Sequence, residues 1–235
     1  MLPSCKKLAR TFILCALLMT ASFATEIVSP NVAYYSGEIS KASNDIFFAR
    51  YRHPAPERLI ITSDGGEVEA AIELASWVYN NKVDIAVEEY CLSSCANYVF
   101  PAGLNKMILP GAVVAWHGNY HHLFETGLWK TEVKSRMKKY GQDYATAYKY
   151  VSSQVKHLYN LERIFFKLIN VDQYICWVGK MPPYNVSDFY FLSDKDMLRF
   201  GITNLSLSHD YINTDVNRFP YNIEYLELAG QSSRY

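Results

Sequence analysis

The chain has 235 residues, its 23 lysines and arginines balance 23 aspartates and glutamates, and half of its residues are hydrophobic. A chain of this length and apolarity buries a sizeable single core, which excludes a disordered protein. Zero net charge, with no basic run beyond the first residues, leaves no footprint for nucleic acid or an anionic membrane surface.

In chain order, the first residues read as an export signal. Lys6, Lys7 and Arg10 form a positive head, Thr11 to Met19 is almost wholly apolar, and Ser22-Phe23-Ala24 offers small residues to a signal peptidase. The apolar stretch is too short to be a comfortable membrane span; an uncleaved anchor is the alternative. The expectation is a signal peptide over residues 1–24 and a single domain over 25–235, periplasmic or secreted, with no membrane association after cleavage. Leu14 precedes Cys15, so no lipoprotein site is expected there. Cys5 and Cys15 leave with the signal, while Cys91, Cys95 and Cys176 remain. An oxidising compartment makes Cys91 and Cys95 the nearest candidate disulfide pair.

Ala33 to Ile39 predicts a strand and turn, and Ser43 to Tyr51 a helix broken by His53-Pro54-Ala55-Pro56. Leu59 to Ser63 is a short apolar strand of the kind buried in parallel sheets. Asp64-Gly65-Gly66 turns into a helix over Glu67 to Asn81, with Val68, Ala71, Ile72, Ala75, Val78 and Tyr79 on one side. Asp84 to Val87 is the next strand, Ala96 to Phe100 a short helix, and Met107 to Leu109 and Ala112 to Trp116 two further strands. This alternation predicts an α/β domain with parallel strands. A charged helical segment over about 126–170 reads as one long helix or as two shorter ones interrupted near Gly141. After it come a loop from Trp177 to Val186, a strand from Phe189 to Leu192, a helix from Asp194 to Phe200, and a loop-like tail beyond His209.

Three features carry chemistry. The Gly65-Gly66 pair between strand and helix either binds an oxyanion through its N–H groups or only turns the chain. Ser93 and Ser94 sit where a strand passes into a helix, a place for an N-cap or for a nucleophile aided by the helix dipole. His117 ends a strand before Gly118, placing an imidazole where a general base can stand. His121 and His122 raise a metal reading with His117 and Cys91 or Cys95, but no zinc-like spacing is completed, and no metal is expected.

The runs I-T-S-D-G-G (Ile61 to Gly66), S-C-A-N-Y-V-F-P-A-G (Ser94 to Gly103) and P-G-A-V-V-A-W-H (Pro110 to His117) resemble the proteolytic subunit of Clp protease and its crotonase-like relatives. The segment Asp188 to Thr203 is similar to the family's acid-bearing stretch. The resemblance implies a ClpP/crotonase-like spiral of ββα units with a mainly parallel sheet, a long helical segment after the histidine strand, and assembly into a homo-oligomer. It implies a serine peptidase acting on a peptide or protein substrate without a cofactor. In that reading Ser94 is the nucleophile, His117 the base and Asp188 the acid, with Gly65, Gly66 and Cys95 supplying oxyanion N–H groups. The exported relatives with a C-x-S-x-C turn favour Ser93 instead, and Asp194 is the alternative acid. An inactive module that binds a partner or assembles, and a thiol or metal site, are the competing readings.

Overall fold

The computed structural model describes residues 31–230, so the expected export signal lies outside the described residues. Val32–Ser36 (β1) leads to Lys41–Tyr51 (α1), whose N-cap Ser40 accepts a hydrogen bond from the Ser43 N–H. Arg58–Ser63 (β2) alternates buried Leu59, Ile61 and Ser63 with half-buried neighbours, the period-2 signature of a strand. Val68–Asn80 (α2) follows the glycine pair, and Asp84–Leu92 (β3) follows α2. A five-residue π-helical turn over Cys95–Val99 runs into Phe100–Ala102 (α3). Lys106–Ile108 (β4) and Val113–Ala115 (β5) are short and buried.

Three helices come next: Tyr120–Thr126 (α4), Lys130–Tyr140 (α5) and Tyr144–Ile169 (α6). The break at Gly141 is present, with that residue at φ +63. The helical segment starts earlier than its charge pattern suggested, because Asn119 caps α4 by accepting from the His122 N–H. Phe189–Phe191 (β6), Asp194–Arg199 (α7), Leu205–Ser206 (β7) and Ile223–Tyr225 (β8) complete the order. The tail is therefore not all loop, and the stretch expected as a loop after Trp177 contains a 3-10 turn at Val178–Lys180.

The protein is α/β with a mostly parallel sheet. Its main sheet runs β1-β2-β3-β4-β7, and every pairing along it is parallel. β3 forks: Ile85–Val87 pair with β4, whereas Tyr90–Leu92 pair with β5. The register between β2 and β3 shifts between Ile61 and Ser63, as a bulge does where a strand bends to serve two neighbours. β6 and β8 form a second, two-stranded parallel sheet, tied to the end of β5 by an antiparallel bridge between Trp116 and Tyr190.

The core lies against the main sheet, where Phe47 and Phe48 of α1 meet Trp77 of α2 edge-on. α2 buries Ala71, Ala75 and Val78 of its expected face and packs Val68 and Ile72 against the core, but it also buries Ala70, Leu74 and Trp77 and leaves Tyr79 exposed. A separate small cluster, Trp129, Val133, Ala147, Val151 and Val155, joins α5 to the first half of α6. Fully burying each of its valines is worth about 1.5–3 kcal/mol.

Candidate active site

Two turns meet at the ends of β2 and β3. Gly65 and Gly66 hold φ of +95 and +147, conformations that disfavour a side chain. A Cβ on Gly65 would stand 2.8 Å from the Leu92 carbonyl, the Ser93 Cβ and the Ser94 nitrogen, and one on Gly66 would lie 2.1 Å from the Ile39 carbonyl oxygen. The glycines thus let one loop touch both the first strand's exit and the serine turn. At that turn Ser93 has φ +52, an uncommon conformation for a residue with a side chain and one that gathers at functional sites. The Sγ atoms of Cys91 and Cys95 are 1.95 Å apart, disulfide-bonding distance, so a closed ring brackets both serines. Cys176 is free and buried.

The two serines face different partners. Ser93 Oγ lies 2.7 Å from His117 Nε2. Ser94 is buried, and its Oγ donates to the Gly66 carbonyl at 2.8 Å, pinning the glycine loop. Of the two candidate nucleophiles, the one brought to the imidazole is Ser93. Ser94, the nucleophile implied by the family resemblance, is turned away because the left-handed residue before it swings the following side chain towards the loop.

His117 follows β5, with its ring stacked on Phe189 at 4.5 Å and 21°. Desolvation in this setting pushes its pKa below the ordinary value; the Lys180 cation lowers it further, and the Asp188 carboxylate opposes both. Asp188 is near enough to exert that field, yet among the described residues no hydrogen bond joins its carboxylate to the ring. Its main-chain oxygen instead accepts from Lys180 Nζ, which also donates to the Val186 carbonyl at 3.2 Å. Asp194 opens α7, beyond the far end of β6, and its field acts on Tyr225.

Of the expected oxyanion donors, Gly65 is spent, because its N–H donates to Ser63 Oγ at 3.1 Å. For the Gly66 and Ser94 N–H groups no protein acceptor is found among the described residues, and both residues line the same cavity as Ser93 and His117. Cys95 was expected to serve as the residue after a Ser94 nucleophile; with Ser93 at the imidazole, the residue in that place is Ser94. The cavity holds about 480 Å³, and Val68, Leu123 and Leu158 give it apolar walls. No family model and no curated protein matches this chain.

His117, His121 and His122 do not converge. His121 stacks on Tyr159 and His122 on Trp177, and no group of three or more metal-ligating side chains exists among the described residues.

Two residues have supporting roles that the sequence does not assign. Asn97 Nδ2 donates to the Gly118 carbonyl at 3.0 Å, holding the peptide just after His117. Glu162 of α6 is fully buried and accepts the Tyr120 N–H at 3.0 Å, the His121 N–H at 2.7 Å and the Tyr98 hydroxyl. It thereby caps α4 from another helix. Burial lifts its pKa to about 7, against the pull of the three donors. The signal available in the sequence was a glutamate at an inward position of α6, in line with Val151, Val155 and Phe166.

Proposed function

We propose that this protein is a serine hydrolase of peptide bonds, with Ser93 as nucleophile and His117 as general base. The observation that carries the reading is the 2.7 Å contact between Ser93 Oγ and His117 Nε2 on the wall of an open, partly apolar cavity. With its proton on Nδ1, His117 accepts the Ser93 proton through Nε2 as Oγ bonds to the scissile carbonyl carbon. The lowered pKa supports this role, since it keeps the ring neutral near pH 7. The Gly66 and Ser94 N–H groups stabilise the developing oxyanion. As the C–N bond breaks, His117 returns the proton to the leaving amine, and water then releases the acyl group by the same base. Asp188 acts on the imidazolium through its field.

The forked β3, the glycine turn before α2 and the histidine after β5 also support a ClpP/crotonase-like spiral. A disulfide at the serine turn fits an exported protein. Exposed Ile164 and Leu168, one turn apart on α6, suit contact with a second copy.

The test is labelling by a fluorophosphonate, which captures an activated serine. Wild-type protein is expected to be labelled at Ser93; Ser93→Ala abolishes labelling, while Ser94→Ala retains it. Folded wild-type protein that stays unlabelled removes the hydrolase reading and leaves a binding module.

A further inference from the structure

A second cavity, of about 430 Å³, opens on the other side of the His121-His122 pair, between α4 and the 3-10 turn Gln173–Cys176. Its lining includes two carboxylates, Glu125 and Asp172, and no lysine or arginine among the described residues. Trp177 and Tyr174 meet edge-on at 4.7 Å and supply aromatic faces. Glu125 has only a long 3.8 Å approach to His121 Nε2.

Seven side-chain polar atoms of the described residues are buried without a hydrogen bond, and four belong to residues that line this cavity: His121 Nδ1, Asp172 Oδ2, Gln173 Oε1 and Trp177 Nε1. Native proteins keep few such atoms, because each costs about 1–3 kcal/mol. Four together point to a guest whose entry turns these side chains to it. Their polarity describes that guest. Asp172 and Gln173 offer oxygens that only accept, Trp177 offers an N–H that only donates, and His121 does either according to its tautomer. The guest therefore carries several N–H donors and one acceptor, and two carboxylates beside an indole face select a positive charge.

We propose that this cavity binds an α-ammonium group with its neighbouring carbonyl, the chemistry shared by a peptide's free N-terminus and by a free amino-acid amide. The ammonium donates to Asp172 Oδ2 and Gln173 Oε1, and the carbonyl accepts from Trp177 Nε1. This site is separate from the Ser93 cleft and does not rest on its being catalytic, although Trp177 stacks on His122, which lines that cleft.

The experiment follows the Trp177 indole N–H by nitrogen-15 NMR, with the peak assigned through Trp177→Phe. The protein is Ser93→Ala, so that turnover cannot consume the probes. Alaninamide, trialanine and N-acetyl-trialanine are titrated in turn. A saturable shift with either free-amine probe, absent with the acetylated one, is the expected result, and the tighter probe identifies the source. Asp172→Asn keeps the oxygen that caps the turn by accepting the Tyr174 N–H and is expected to weaken binding about tenfold or more. Gln173→Leu, which removes one of the orphaned acceptors, is expected to weaken it as well. No shift with any probe, an equal shift with the acetylated peptide, or undiminished binding by folded Asp172→Asn overturns the proposal.

Discussion

At Ser93 a single backbone angle decides which hydroxyl meets the imidazole. Two adjacent serines cannot be ranked from sequence, because the choice rests on φ +52 at the first and an ordinary helical φ of −60 at the second. A β-carbon in the left-handed region is strained by about 1–3 kcal/mol, and the surrounding ring from Cys91 to Cys95 holds the turn in place. The acid raises a different question. An aspartate hydrogen-bonded to the base is worth about ten-thousandfold in rate, but Asp188 reaches His117 only through its field. Asp188→Asn is therefore expected to lower kcat by less than about tenfold. Its second effect has a definite sign. In the proposed hydrolase the neutral ring is the working form, and its pKa lies below 6.5, so the acid limb of kcat/KM is expected below pH 6.5 in the wild type. Removing the carboxylate that raises that pKa moves the limb lower still. Steady-state kinetics across pH check both; a limb at or above 6.5, or a loss near ten-thousandfold, contradicts this account.

Among the elements, α4 and its cap show how a helical layer positions the site. Glu162 spans from α6 to the first turn of α4, which begins three residues after His117. Its folded pKa of about 7 lies above the ordinary 4.5, so the folded chain holds more protons than the unfolded chain between these values. Stability from this group thus falls as pH rises through that window and levels off above it. Glu162→Gln removes the titration and leaves at least one of three donors unmatched. Urea melts are expected to show a loss of about 1–3 kcal/mol together with a flatter pH dependence between 4.5 and 7 than in the wild type. Helix-compatible composition marks the long helical segment, and of its two readings the one interrupted at Gly141 is present, since local propensity and a left-handed cap decide both. It missed α4, which opens on Tyr-His-His and exists because Asn119 and Glu162 satisfy its first N–H groups. It also missed β8, three residues whose strand character comes only from pairing with β6.

Over the whole molecule, what was legible is what is local: the buried strand before the glycine pair, the turn at the serines and the histidine after β5. What was not legible depends on distant pairing, as in the fork of β3 and the bridge from Trp116 to Tyr190. The same division by distance governs stability. The main core runs through the sheet, α1, α2 and the Phe165-Phe166 end of α6, whereas α5 and the first half of α6 rest on a cluster of five buried residues. With less apolar area buried, that outer hairpin opens at lower free energy than the sheet. Yet Leu123 and Leu158, from α4 and α6, form part of the wall over Ser93. Leu123 packs against that cluster, so local opening of this layer is expected to widen the entrance to the cleft while the serine turn, anchored by β3, stays in place. Hydrogen exchange read by mass spectrometry is expected to show α5 and residues 144–155 exchanging well before β2 and β3. A covalent fluorophosphonate adduct at Ser93, packed against Leu123 and Leu158, is expected to slow exchange in α4 and α6 but not in β1. Uniform protection across both cores, or an adduct that leaves α4 and α6 unchanged, would show that the helical layer is a fixed wall and that substrate enters by another route.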